Sequence, residues 1–242
     1  RWCRCIDAII EKIPGRPIIE KLRIIMLYQA DFNFALKLIW GKRLVRHAES
    51  NRALGTDNHG SRPGRQATDA LLEKLLIYEF AGLTRTSAIS LDNDAKSCYD
   101  RIIKTLAMIT CIAAGLTLAA AAMHNKTHHK MKHQIKSNQG LFRPYFGTDT
   151  DELEGSGQGS GGSPGIWLLY SVSMLAAFQF FSSGMKLMSP YESLLVVSIL
   201  AVFYVDDGTP VVNDAADESA ASLPTLISAA EQAAQSWERL LF

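Results

Sequence analysis

Residues 194–204 form a nearly continuous apolar run of Leu, Val, Ile and Phe that stops at Asp206-Asp207-Gly208. Such a run predicts a buried strand, and its last residues predict a turn that carries two adjacent carboxylates. A second segment ends the same way. Ser87, Ile89 and Leu91 alternate with small or polar neighbours, the period of a half-buried strand, and deliver Asp92-Asn93-Asp94. For any single aspartate a turn or cap role is the commoner one. Carboxylates gathered at adjacent strand ends, however, repel one another, and a hard divalent cation with oxygen ligands relieves that repulsion.

Composition excludes a disordered or fibrous chain: 242 residues, 48% of them apolar, 25 Lys+Arg against 24 Asp+Glu. That length suits one large domain or two small ones. The first residue is Arg1, which fits a fragment of a longer protein. The net charge of +1 averages segregated blocks: residues 1–50 are basic, 206–242 carry only Arg239 against several acids, and 120–147 hold Lys126, Lys130, Lys132, Lys136 and Arg143 without an acid. Two basic surfaces flanking an acidic centre suit a polyanionic partner. Apolar runs at 106–123, 166–184 and 194–205 carry too many Ala, Thr, Ser and Gln residues, or are too short, to read as membrane spans, and a mean hydropathy of +0.04 favours core helices. Cys3, Cys5, Cys98 and Cys111 show no CxxC pairs and read as reduced thiols of an intracellular protein, nuclear or cytoplasmic, without a secretory signal.

Between these landmarks, 17–49 reads as mixed helix and strand, 51–68 as a loop, and Ala70 to Tyr78 as a helix with Asp69 near its start. Residues 100–123 predict one helix, 131–146 strand-like pieces, and the GSGQGSGGSPG stretch a flexible linker. A final helix begins at Pro224, after Ser222, with Leu226, Ala230, Ala233, Trp237 and Leu241 on one stripe. His124, His128, His129 and His133 include pairs four residues apart, a zinc spacing, but the surrounding lysines oppose a metal and predict a basic ridge facing nucleic acid.

Tyr204-Val205-Asp206-Asp207 resembles the YxDD box of reverse transcriptases. Asp94 to Arg101, with Tyr99 and Asp100 five and six residues after Asp94, is similar to the other aspartate motif of their palm in the retroelement type without long terminal repeats, and Gln158 to Pro164 resembles their QGxxxSP loop. Lys21 to Leu27 and Gly60 to Arg65 resemble the fingers motifs, so the ordered set spans roughly residues 16–207. A Gly157 stands where many members have Pro.

The resemblance implies an α+β right-hand polymerase, with fingers over 1–85 and a palm over 86–242 that carries a basic insertion at 124–147. The antiparallel palm sheet is backed by helices, and no thumb counterpart follows Asp207. It implies an RNA-directed DNA polymerase of a retrotransposon, in which Asp94, Asp206 and Asp207 hold two Mg²⁺ ions, with Mn²⁺ as a substitute, for nucleotidyl transfer. Tyr99 becomes a gate against the 2′-hydroxyl of the incoming nucleotide. Gln158 and Gly159 contact that nucleotide or the template base, Arg23 the triphosphate, and Arg62, Arg65, Lys130 and Lys132 nucleic acid. The implied partners are an RNA template, a DNA primer, dNTPs and further domains of the same polyprotein, with no membrane. An RNA-dependent RNA polymerase fits less well, because Val205 stands before the aspartates where such enzymes usually have Gly. The alternative from another class is a catalytically silent, truncated nucleic-acid-binding remnant.

Overall fold

The computed structural model describes residues 2–16, 18, 21–95, 97–143, 146, 155–182, 184–188, 196–213 and 223–241. The start of the apolar run at 194 and 195, Ser222 and Lys96 lie outside them. In chain order the elements are β1 (Arg4–Glu11), β2 (Leu22–Tyr28), α1 (Ala30–Leu36), a π-helical stretch (Lys37–Leu44), α2 (Val45–Ser50), α3 (Ala67–Thr84), β3 (Ala88–Ser90), β4 (Asn93–Asp94) and a 3-10 turn (Cys98–Arg101). There follow α4 (Lys104–Ala113), α5 (Leu118–His129), β5 (Lys132–Ser137), β6 (Gly140–Leu141), α6 (Ser163–Phe178), β7 (Met185–Met188), β8 (Val196–Ile199), β9 (Ala201–Tyr204), β10 (Asp207–Asn213) and α7 (Leu223–Leu241). Helices and mainly antiparallel strands give a mixed α+β fold.

Two compact units are each built from two stretches of chain: Arg1–Ala53 with Ser97–Tyr170, and Leu54–Lys96 with Ser171–Phe242. This is a division by packing, of a different kind from the fingers and palm named above. In the first unit the sheet order is β2-β1-β5-β6, with β1 antiparallel to β2 and parallel to β5. Strand alternation puts Cys5 and Asp7 of β1 on its buried face. Phe32, Leu36, Trp40, Leu44 and Ala48 are all buried. A spacing of four drifts around an ordinary helix of 3.6 residues per turn; the wider winding of the π-helical stretch keeps these side chains in line.

The predicted helix over 100–123 is instead two, separated at Gly115, which takes a φ of 103°. A Cβ there would come within 2.6 Å of His47 Cδ2, so the chain turns where only glycine fits. That break also divides the apolar run at 106–123, and among the described residues no helix is long and apolar enough to cross a membrane.

In the second unit β10 lies between β3 and β4 and also pairs with β9, while β7 and β8 form their own hairpin. The predicted strand over 194–204 is thus two strands, β8 and β9, with different partners. They part at Leu200, whose N–H donates to Asp57 Oδ2 (3.2 Å). Helix α3 begins with a capping box in which Gln66 N–H donates to Asp69 Oδ2 (2.7 Å), so Asp69 sits where the helix dipole favours it. Helix α7 buries Leu226, Ala230, Ala233, Ser236 and Trp237, four of them on the predicted stripe. Burying Leu226 and Trp237 contributes about 2–3 kcal/mol each. Ala70, Ile77, Met185, Ile199, Val202 and Val211 make a common core.

Candidate active site: an acidic strand end

Asp94 of β4 and Asp207 of β10 are direct partners in the antiparallel register, and Ala95 N–H donates to the Asp206 carbonyl (2.9 Å). Facing residues of such a pair have Cα atoms about 4.5–5.5 Å apart. Asp207 also pairs with Tyr204 across a tight turn made of Val205 and Asp206. Two stretches of sequence more than a hundred residues apart therefore bring three carboxylates to one end of one sheet. All three are exposed. Partial burial raises the Asp207 carboxyl above its ordinary range, and the negative charges of Asp206, Asp94 and Asp92 push the same way, while Lys74 opposes them.

Val205 occupies the left-handed region, φ 58°, a costly conformation for a β-branched residue. The surroundings hold it there. Gly60 lies so close that a Cβ would collide with Val205 N and sit 2.9 Å from its Cα. Residues 57–59 run along β9: Phe203 N–H donates to the Asp57 carbonyl and His59 N–H to the Phe203 carbonyl, each at 2.8 Å. Asn58 is 1% exposed and its Nδ2 donates to Ser171 Oγ (2.8 Å). Residues 57–60 thus buttress the hairpin that carries Asp206 and Asp207. The buttress residues Asn58 and His59 escape a reading of the sequence because loop asparagines and histidines resemble turn residues.

Arg62 is 9% exposed, and its Nη1 donates to the carbonyls of Gly55 and Asn58, both at 2.8 Å. It serves as an internal brace of the loop, a role its sequence context does not reveal. Arg65 is exposed; its Nη1 lies 3.3 Å from Nδ1 of the buried His59, whose Nε2 is 2.6 Å from Glu73. Asp92, two residues before Asp94, accepts from Thr209 Oγ1 (2.7 Å) and Lys74 Nζ (3.1 Å). Those hydrogen bonds, Thr209 first, hold its carboxyl below the ordinary range. Lys74 brings a cation to this acidic cluster; the sequence places it on the helix of 70–78 but does not show that Asp92, 18 residues on, is its partner.

The other predicted site residues belong to the first unit. The glycine-rich stretch, expected to be a flexible linker, is fastened from several sides. Met26 N–H donates to the Gln158 carbonyl (2.6 Å), Asn33 Nδ2 donates to the Gly159 carbonyl (3.1 Å), and Gly161 N–H donates back to Asn33 Oδ1 (2.6 Å). Ser163 Oγ donates to the carbonyls of Ser156 (2.9 Å) and Gly157 (3.0 Å). The glycines exist for close approach rather than freedom: Gly157 has φ 74°, and a Cβ on it would collide with Met26 Sδ and lie 2.6 Å from Tyr28 Oη. Gln158 is half-buried and Gly159 exposed. Tyr99 is half-buried, and its carbonyl accepts from Ser156 N–H (2.8 Å), so the segments carrying Tyr99 and Gln158 are joined directly. Arg23 is exposed on β2.

Lys126, Lys130, Lys132 and Lys136 are exposed, as a basic ridge requires. The histidines between them are not part of its surface as a group. His124 is 2% and His133 5% exposed; His124 stacks toward Trp40 (ring centroids 5.0 Å) and His128 toward His124 (4.2 Å). The helical period that places lysines outward at 126 and 130 places histidines inward at 124 and 128.

No family model and no curated protein matches this chain. Solved structures do. Telomerase from Candida albicans, in complex with the TWJ fragment of telomeric RNA, matches with 15% identity and a TM-score of 0.55 over 89% of this chain and 38% of that one. Telomerase from Candida tropicalis, in the corresponding complex, matches with 12% identity and a TM-score of 0.58 over 98% and 39%. The chain therefore spans about two fifths of the length of these structures. At such identities the likeness is one of fold: the mixed α+β arrangement of this chain is similar to that of part of these telomerase structures.

Proposed function

We propose that this chain carries out RNA-directed DNA synthesis, joining a deoxynucleotide to the 3′ end of a primer. The observation that carries this reading is the meeting of Asp94, Asp206 and Asp207 at one strand end, on the sequence motifs that resemble those of reverse transcriptases. The donor set fits Mg²⁺: three exposed carboxylates offer hard oxygen ligands, and the repulsion between them, which adds to partial burial in raising the Asp207 carboxyl, is what a divalent cation offsets. A bound pair of such ions supplies charge neutralisation at the phosphorus and activation of the attacking hydroxyl.

The chain's own residues provide positioning, which dominates phosphoryl transfer. The hydrogen bonds of Asp92 to Thr209 and Lys74 secure β10 beside the carboxylates. Tyr99 excludes a ribose 2′-hydroxyl, Gln158 and Gly159 present a fixed loop to the nucleotide or template base, and Arg23 meets the triphosphate. Arg65, Lys130 and Lys132 contribute phosphate contacts, sequence-independent and salt-sensitive. The RNA in both telomerase complexes supports an RNA partner for this fold. The motif wording favours a retrotransposon origin of the type without long terminal repeats, with further domains in the same polyprotein.

The test is primer extension on poly(rA) with oligo(dT), dTTP and Mg²⁺. The parent is expected to extend the primer, to prefer dTTP over rTTP, and to lose extension in the Asp206→Asn, Asp207→Asn variant. A parent that binds the RNA–DNA duplex in low salt without extending it, in Mg²⁺ or Mn²⁺, identifies a silent binding remnant instead.

A further inference from the structure

A second cluster of ligand atoms lies in the first unit, inside the sheet. Cys5 and Asp7 share a face of β1, and His133 stands beside Cys5 on the parallel strand β5. All three are buried, at 1%, 3% and 5% exposure, and one ligand atom from each lies within 4.8 Å of the others. Cys5 Sγ donates to Asp7 Oδ1 at 3.5 Å, and His133 Nδ1 lies 3.1 Å from both Asp7 oxygens.

We propose that Cys5, Asp7 and His133 form a structural zinc site that clamps β1 to β5. Around a tetrahedral ion with Zn–S of about 2.3 Å and Zn–N and Zn–O of about 2.0–2.1 Å, neighbouring ligand atoms stand about 3.6 Å apart for S···O and about 3.3 Å for N···O. The distances present, 3.5 and 3.1 Å, already match those edges to within a few tenths of an ångström. Thiolate, imidazole and carboxylate together suit zinc better than a hard cation. The charges also balance. Binding displaces the Cys5 thiol proton to solvent, and His133 binds through Nδ1 as the neutral tautomer protonated at Nε2. One thiolate and one carboxylate then neutralise the doubly charged ion, as burial demands. Three protein ligands leave one position of a four-coordinate ion.

This site has no part in the acidic strand end, and its test is spectroscopic. The full chain, stripped with a chelator, is titrated with Co²⁺. The expected result is a thiolate-to-cobalt charge-transfer band that saturates at one equivalent and disappears on adding Zn²⁺. Cys5→Ser abolishes the band, Cys111→Ser leaves it intact, and Asp7→Asn weakens cobalt affinity at least about tenfold. A hundredfold excess of zinc over Kd raises the melting temperature by roughly 5–10 °C. A folded parent without the band, or a band that survives Cys5→Ser, overturns the proposal and leaves a hydrogen-bonded trio. Should Cys5→Ser fail to fold, unchanged cobalt affinity in folded Asp7→Asn overturns it equally.

Discussion

The first unit buries a cluster of ionisable groups, with Cys5, Asp7, His133 and His124 each at 5% exposure or less, whereas the second, although it buries His59 against Glu73, leaves Asp94, Asp206 and Asp207 in solvent. The difference follows from what each set must do. Groups that are paired, or uncharged, can be packed away; three carboxylates that repel one another can stay ionised only where water and cations reach them. The inside-against-outside contrast predicts how each unit responds to perturbation.

The largest effect is expected from acid. Burial, helped by the charge of Lys104, holds His124 down to about 4, against 6.5 in the unfolded chain, and His128 shifts in the same direction. Below pH 6.5 the unfolded chain takes up a proton that folded His124 refuses, so stability is full above that pH and falls as pH drops toward 4. The loss for His124 is about 3 kcal/mol. Urea unfolding at pH 7.5 and 4.5 measures it, and His124→Phe flattens the dependence; a parent insensitive to this range breaks the contrast.

Next comes the buttress of the acidic hairpin. Gly60→Ala sets a methyl against the backbone of Val205, which has no flexible tip to yield, and should cost about 2–3 kcal/mol in thermal unfolding. Asn33→Ala removes two of the bonds that fasten the glycine-rich loop and should cost about 1–2 kcal/mol, read by denaturant melting, with faster amide exchange at Gly161. Asp92→Ala gives the smallest loss, about 0.5–1 kcal/mol, mostly from Thr209, which is 1% exposed and loses its acceptor. A larger Asp92 effect would mean that the exposed cluster is as interlocked as the buried one.

What could be read in the sequence divides along the same line. The aspartates, the capped start of α3 and the stripe of α7 were legible because strand ends, helix caps and amphipathic periods are local. The fold class followed from the ordered motifs. The inward histidines were hidden because a lysine-rich context dominates their neighbourhood in sequence, and only the path of α5 separates the two faces. The glycine-rich loop is hidden for a related reason: composition reports conformational freedom, whereas Asn33 and Tyr28, more than a hundred residues away, and Ser163 within the same segment remove it by hydrogen bonds to the loop carbonyls. The apolar run at 194–204 concealed its division because Asp57, the acceptor at Leu200, is 143 residues away.

The parallel pairing of β1 with β5 has a consequence for how the molecule is born. Asp7 and His133 are 126 residues apart, and each unit is closed only by a later stretch of chain. During synthesis β1 can pair at once with β2, but its other edge waits for β5 to emerge. Pairing across so long a separation raises the contact order of this sheet and so slows its closure.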